Sequence, residues 1–404
     1  MQQPITILIV DDSIIIRGII NRILSEVAQF KVVGAAIDGQ NAVRMAQELQ
    51  PDFVILDINM PRKDGLTALP EILQIAPNSK VIIASSITST NAEISMKALE
   101  LGASECIHMP NAKNQNAKSQ DELKRFSRDL VNCIMALSGT NPTLSGTLST
   151  QKPLPQTLKK NDISSVNPVK SNISTTQSLP IQLNNNQLNT SYSNTHHSNN
   201  LQAIAIASST GGPHALAQLF KQLNGNIPNV PIFITQHMPP TFTSILATNI
   251  ASASGVGCSE GVDGELVQPK HIYIAPGDYH MTPIKQGNNV IMRINQHQME
   301  NYCRPSADPM MRALIDIYGK NMLMIVLTGM GHDGLAGAKL LAQASGVIIA
   351  QDKASSVVWG MPKAVAEAGI ANAILPLDDI ANYVINAFNR NSNSAKTPNL
   401  GDVK

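Results

Sequence analysis

Cysteine pairs, an excess of charge of either sign and long apolar runs are all missing from this chain, and each absence removes a class of function. Four cysteines occur in 404 residues, Cys106, Cys133, Cys258 and Cys303, far apart and without a CxxC pair. Neither a zinc site nor a disulfide framework is indicated. Charged residues make up 15% and the formal net charge is +1, which gives no basic field for nucleic acid and no polybasic surface for anionic lipid. The N-terminal apolar run from Ile5 to Val10 is short, lacks a basic leader and meets Asp11 and Asp12 at once. It reads as neither a signal peptide nor a membrane span. A cytoplasmic protein with no nucleic-acid partner and no membrane insertion is expected.

What is present is apolar residue in quantity, 43% of the chain, enough for two or three domains with cores of their own. Ile7-Leu8-Ile9-Val10 reads as a strand buried on both faces, followed by a helix whose Ile16, Ile19, Ile20, Ile23, Leu24 and Val27 share one stripe. Further strands are predicted at 32–33, 53–56 and 81–83, with helices at 39–49, 65–74 and 92–101. That alternation implies a parallel sheet covered on both sides, with its functional edge at the strands' carboxyl ends.

Three carboxylates fall at that edge: Asp11 and Asp12 after the first strand and Asp57 after the third. Brought together they repel unless a cation is bound, and a small cluster of oxygen ligands suits Mg²⁺. The plainer alternative is that Asp11-Asp12 caps the following helix, with Ser13 beside it. The surrounding run Asp57-Ile58-Asn59-Met60-Pro61-Arg62-Lys63-Asp64-Gly65, with Ser85-Ser86 ending the next strand, resembles the receiver domain of two-component response regulators over residues 5 to 137. The resemblance implies that Asp57 accepts a phosphoryl group, that Asp12 and Asp57 ligate Mg²⁺ with Asp11 acting through water, and that Asn59 offers its backbone carbonyl. Ser85 would be the hydroxyl that follows the phosphoryl group. One departure stands out: receivers carry a Lys before the proline that follows the fifth strand, and here the sequence is Cys106-Ile107-His108-Met109-Pro110. A thioether cannot replace a cation, Cys106 stands where a bulkier switch residue is usual, and His108 is expected to be exposed and without a role.

Leu123, Phe126, Leu130, Ile134 and Leu137 keep helical spacing and close this first domain, 1–137. From 138 to 200 the chain is rich in Asn, Ser, Thr and Gln, buries too little apolar surface to offset its ordering entropy, and reads as a flexible linker. Residues 201–390 again alternate, with strands at 203–207, 231–235, 271–275, 322–327 and 346–350 and helices between them. The expected fold class is α/β, two doubly wound parallel-sheet domains: a flavodoxin-like receiver and a Rossmann-like second domain. A disordered tail is expected over 391–404.

Polar residues directly after strands in the second domain include Ser208-Ser209, then Gln236-His237, then Thr328-Gly329-Met330-Gly331-His332-Asp333-Gly334. A serine hydroxyl becomes a nucleophile when an imidazole removes its proton and a carboxylate fixes the imidazole's tautomer. Each member has a plainer reading: Ser209 as a helix cap, His237 as a core histidine, Asp333 as a turn residue. The turn Ser209-Thr210-Gly211-Gly212 could instead cradle a phosphate, but it lacks GxGxxG and a downstream ribose-binding acid.

Ala207-Ser208-Ser209-Thr210-Gly211-Gly212, Gln236-His237-Met238-Pro239, Ile274-Ala275-Pro276-Gly277-Asp278, Arg304-Pro305-Ser306, Leu327 through Gly334 and Gly360-Met361-Pro362 together resemble the CheB family of chemotaxis methylesterases. The resemblance implies that Ser209 is the nucleophile, His237 the general base and Asp333 its orienter, with Ser208 structural and His332 peripheral. Backbone N–H groups at Thr210 and Met330 are the oxyanion candidates, and the glycines are read as room for an ester substrate. The implied reaction is hydrolysis of glutamyl methyl esters on chemoreceptors, with deamidation of glutamine by the same attack and no cofactor for the hydrolysis. A CheA-type sensor histidine kinase would donate the phosphate to Asp57. A non-catalytic signalling adaptor that binds receptors or a phosphodonor is the alternative, and the intact motifs argue against it.

Overall fold

The computed structural model describes residues 3–85, 89–109, 117–139 and 200–394. The first five strands and helices alternate: β1 (Ile5–Val10), α1 (Ile14–Ser25), β2 (Phe30–Ala36), α2 (Gly39–Leu49), β3 (Phe53–Leu56), α3 (Gly65–Ile75), β4 (Lys80–Ser85), α4 (Ser89–Glu100), β5 (Glu105–His108) and α5 (Ala117–Ser138). The strands form one parallel sheet in the order β2-β1-β3-β4-β5. All four residues of β3 are buried, as the apolar run demands for a strand covered by helices on both faces. Helix starts are set by side-chain caps. Ser13 Oγ accepts from the Ile16 amide at 3.4 Å, Asp38 from Asn41 at 2.7 Å and Asp64 from Thr67 at 2.7 Å. Ser13 is the cap of α1, which leaves the Asp11 and Asp12 carboxylates at the sheet edge.

The second lobe runs β6 (Ala203–Ser208), α6 (Gly212–Leu223), β7 (Ile232–Gln236), α7 (Phe242–Ser254), β8 (Cys258–Glu260) and β9 (Ile272–Ile274). Two small antiparallel pairs follow, β10 (His280–Met281) with β13 (Ile294–Asn295) and β11 (Ile284–Gln286) with β12 (Asn289–Ile291). The chain continues through α8 (Ala307–Tyr318), β14 (Met322–Val326), α9 (Leu335–Gln343), β15 (Val347–Gln351), α10 (Met361–Glu367), β16 (Ala373–Leu375) and α11 (Leu377–Ser394). Seven parallel strands are ordered β16-β15-β14-β6-β7-β9-β8, so β6 lies in the middle. Its two faces differ. Ile204 and Ile206 join the apolar cluster shared with α6, α7 and α11, while Ala203, Ala205 and Ala207 face a methionine-rich cluster that includes Met310, Met311 and Met324. Small residues on one face and branched ones on the other let helices pack on both sides of one strand.

The expected doubly wound architecture is present in both lobes. Edge strands β8 and β16 and the two small pairs were not foreseen, because segments of two or three residues are too short for a period to be read; helices α10 and α11 were not foreseen either. Helix α11 extends to Ser394, into the expected tail. The expected linker falls almost wholly on 140–199, outside the described residues, as do 395–404. Among the described residues no helix is long and apolar enough to cross a membrane.

The turn after β6 corrects the reading of its glycines as substrate room. Gly211 has φ +76, a left-handed conformation that disfavours a side chain, and a Cβ there would press on Val357. A Cβ on Gly212 would collide with Gln236 Oε1, the atom that accepts from Ser208 Oγ at 2.7 Å. The glycines make room for the protein's own neighbours. Gly212→Ala is therefore expected to lower the unfolding free energy by about 1–3 kcal/mol through overpacking, measured by urea denaturation. No change would mean that Gln236 is not held against the turn.

Candidate active site

Three adjacent strands deliver the sequence-derived serine, histidine and aspartate to one edge. β6 pairs with β7 in register Ser208↔Gln236, so Ser209 and His237 are each one residue beyond a matched pair. The His237 amide donates to the Ser208 carbonyl at 3.1 Å. On the other side β14 pairs with β6, and the loop after it brings in Asp333. His237 Nε2 lies 2.7 Å from Asp333 Oδ2, which leaves Nδ1 for other partners. Ser209 is half-buried, its amide donates to the Thr328 carbonyl at 3.0 Å, and its carbonyl accepts from Gln236 Nε2 at 2.9 Å. A Cβ on Gly329 would lie 2.9 Å from Ser209 Cβ, so only glycine lets the loop after β14 pass this close.

Asp333 is 2% exposed and densely bonded. Besides His237, its carboxylate accepts from Asn301 Nδ2 at 2.8 Å, Ser306 Oγ at 2.7 Å, the Ala307 amide at 2.6 Å and the Gly334 amide at 2.9 Å. Ala307 is the first residue of α8, and Ser306, at its cap position, makes no side-chain cap bond. Asp333 supplies the cap from another loop, at the positive end of the helix. Burial alone would raise the Asp333 pKa, but the bonds from His237, Ala307 and Ser306 outweigh it and hold the carboxyl well below the ordinary aspartate range. For His237, burial opposes the charged ring, yet the Cys303 sulfur and the Asp333 carboxylate outweigh that and raise its pKa above the ordinary histidine value.

Several contributing residues were not singled out from the sequence. Asn301 bridges Asp333 and Asp308, donating to the latter at 2.9 Å. Burial raises the Asp308 pKa, against a bond from the Gly337 amide. Cys303 Sγ lies 3.6 Å from His237 Nδ1. Arg304 donates to Asp278 Oδ1 at 2.8 Å, which ties together two motifs that are 26 residues apart in sequence. The motifs around Asp278 and Arg304 were visible as strings; their joint role needs the fold. His332 is exposed. Among the described residues no protein acceptor takes the amide N–H of Thr210 or of Met330.

In the first lobe Asp11, Asp12 and Asp57 present carboxylate oxygens within 4.8 Å of one another. Burial, then repulsion from Asp57 and Asp12, pushes the Asp11 carboxyl up to about 7 despite a bond from the Ser13 amide. Burial raises Asp57 as well, against bonds from the Ile58 and Asn59 amides. Such a cluster is short of positive charge, and its oxygen donors fit a hard divalent cation. Ser85 is buried at the end of β4, and its carbonyl accepts from the Met109 amide at 2.9 Å. Met109 is buried in an apolar cluster with Ile107 and Phe126, so no cation comes from that position. His108 is half-buried rather than exposed, its Nδ1 has no partner, and burial lowers its pKa. A neutral ring of this kind cannot stand in for the missing lysine.

The receiver-like lobe also reaches the serine turn. Glu105, at the start of β5, is near enough to the side chain of Thr210, the residue after Ser209, for that side chain to lower its pKa. Burial outweighs this and the bond from the Cys106 amide, and pushes the Glu105 carboxyl up to about 7. Val358 belongs to the same apolar cluster as Met109. Helix α4 packs against α6 and α7, with Asn249 Nδ2 donating to Glu100 Oε1 at 3.1 Å.

Comparison with known proteins gives the same two-part division. Residues 204–384 match the family model for CheB methylesterase, and residues 7–118 match that for the response regulator receiver domain. The chain is 42% identical over 96% of both lengths to protein-glutamate methylesterase/protein-glutamine glutaminase 1 of Rhodospirillum rubrum. It is 41% identical, over 95% of its own length and 96% of the other, to the protein of that name from Paramagnetospirillum magneticum. Among solved structures, the Thermotoga maritima CheB methylesterase catalytic domain is 39% identical, covers 46% of this chain and 98% of its own, and aligns with a TM-score of 0.45. The chain thus belongs to the CheB methylesterase family, hydrolases that carry a response regulator receiver domain.

Proposed function

We propose that this protein hydrolyses glutamyl methyl esters on chemoreceptors in the cytoplasm, with Ser209 as nucleophile, and that its receiver controls access to that serine. The observation that carries the reading is the His237–Asp333 contact of 2.7 Å at the strand ends beside Ser209. Asp333, kept ionised by its amide and hydroxyl donors, fixes the imidazole with the proton on Nε2, which leaves Nδ1 to take the proton from Ser209 Oγ. The oxygen attacks the ester carbonyl, and the N–H groups of Thr210 and Met330 receive the negative charge that forms there. The intermediate collapses with cleavage of the bond to the methoxy oxygen, which takes the proton back from the imidazolium and leaves as methanol. Water then repeats the attack on the acyl-enzyme to release glutamate. The same sequence on a glutamine side chain releases ammonia, with the amide the slower substrate.

Mg²⁺ held by Asp12 and Asp57, with Asp11 through water and the Asn59 carbonyl, would neutralise the oxygens of a phosphoryl group as it moves from a CheA-type kinase to Asp57. Ser85 would meet the phosphoryl oxygens afterwards. Control of the esterase is read from the approach of Glu105 to Thr210, which sets the start of the receiver's β5 beside the residue next to the nucleophile. Phosphorylation that shifts β5 would release that turn.

Three outcomes test this. Ser209→Ala is expected to cut methanol release from methylated receptor by about 10³-fold or more, as is His237→Ala; a rate near wild type for either removes it from the chemistry. Asp57→Asn should take up no phosphate from a small acyl phosphate with Mg²⁺, read by intact mass, and its esterase should stay at the basal rate. Glu105 titrates near 7 when docked against 4.5 ordinarily, so the docked state holds a proton that the released state lacks. Docking is then favoured in acid and weakens as pH rises from 4.5 through about 7. Relative to Glu105→Gln, which stays uncharged, basal activity of the unphosphorylated chain should rise across that window. Parallel pH profiles for the two proteins would separate Glu105 from control.

A further inference from the structure

Burial raises the thiols of Cys106 and Cys133 well above the ordinary cysteine value and that of Cys258 to about 12. Cys303 is placed differently. Its sulfur lies 3.6 Å from His237 Nδ1, and the opposite ring nitrogen lies 2.7 Å from Asp333. Thiol, imidazole and carboxylate therefore stand in one line, and the thiol faces the nitrogen that the hydrolysis needs for Ser209. The arrangement is stiff. Cys303 and Glu300 exchange backbone bonds of 2.9 and 3.3 Å, Asn301 and Tyr302 between them hold φ of 53 and 62, Asn301 is bonded to both Asp308 and Asp333, and Arg304 is paired with Asp278. These ties fix the backbone that carries the sulfur. Cys303 is half-buried, as are Cys106 and Cys258, so the contact with His237 rather than its exposure sets it apart.

We propose that Cys303 is a modification site: a second nucleophile served by the His237–Asp333 pair, which reacts with hydrogen peroxide and thereby silences Ser209. The thiol proton passes to Nδ1 as the sulfur attacks one peroxide oxygen. An S–O bond forms and the O–O bond breaks. The departing hydroxide takes the proton back from the imidazolium and leaves as water. Sulfur loses two electrons and peroxide gains them, so that thiol plus peroxide gives sulfenic acid plus water. The new hydroxyl stands between sulfur and Nδ1, bonds to that nitrogen and denies it to Ser209. Two equivalents of a small thiol restore Cys303, leaving a disulfide of the reagent and water. The consequence for activity rests on the esterase reading; the reactivity of the sulfur does not.

Two measurements on the full chain test it. In the first, iodoacetamide labelling at neutral pH is followed for each cysteine by peptide mass. Cys303 should label faster than Cys106, Cys133 and Cys258 by on the order of tenfold or more, and His237→Gln should slow Cys303 alone. In the second, ester hydrolysis is measured after peroxide and again after dithiothreitol, each protein against its own untreated rate. The wild type should lose most of its activity and recover it, while Cys303→Ser should retain its own. Equal labelling of all four cysteines, no effect of His237→Gln, or equal peroxide loss in Cys303→Ser would overturn the proposal. If Cys303→Ser does not fold, Cys303→Ala replaces it, and the labelling comparison needs neither. A wild type with no esterase at all would fail the hydrolase reading while labelling still decides the nucleophile.

Discussion

The carboxylate of Asp333 at the amino end of α8 is the interaction on which the catalytic edge depends. A buried anion is costly unless its lone pairs are filled, and here a helix end, a hydroxyl, an amide side chain and an imidazole fill them. The helix needs an acceptor for its first amides, and Ser306, in the usual place, turns its hydroxyl to Asp333 instead. One group thus completes the helix and holds the imidazole of His237. Loss of its charge would disturb α8 and His237 together, so the helix end and the placement of the imidazole are not separable at this position.

Around that centre the motifs act as spacers and ties. Gly329 lets the loop after β14 lie on Ser209, and its carbonyl accepts from the Met361 amide at 2.8 Å, which explains why Gly360-Met361 accompanies the site from a distant stretch of chain. Gly277 packs so closely on Pro239 and Pro240 that a Cβ would meet backbone. Arg304 and Asp278 fix the segment that carries Asn301 and Cys303. These residues determine where Ser209, His237 and Asp333 stand.

Much of the fold was legible because buried parallel strands are written as unbroken apolar runs, such as Phe53-Val54-Ile55-Leu56 and the stretch at 203–207. Ser209 and His237 were visible for the same reason, each directly following such a run, whereas Asp333 lies in the loop beyond another. The edge strands escaped because three residues carry no period, and Glu105, Asn301 and Cys303 escaped because their meaning lies in what they touch. Glu105 begins an ordinary strand until Thr210 is found beside it, about a hundred positions on. The glycines after Ser209 were misread because sequence gives the missing side chain without giving the neighbour that fills its place.

The strand order β14-β6-β7 has a consequence for how such a protein can change. The reacting groups are spaced by the separation of neighbouring strands, a distance fixed by backbone hydrogen bonding at about 4.8 Å and indifferent to what links the strands. Those links return to the opposite edge, through segments such as 224–231 and 319–321. Insertions, excisions or a relocated chain terminus at that far edge leave the chemistry where it is, so novelty can accumulate there while the reactive rim is inherited intact.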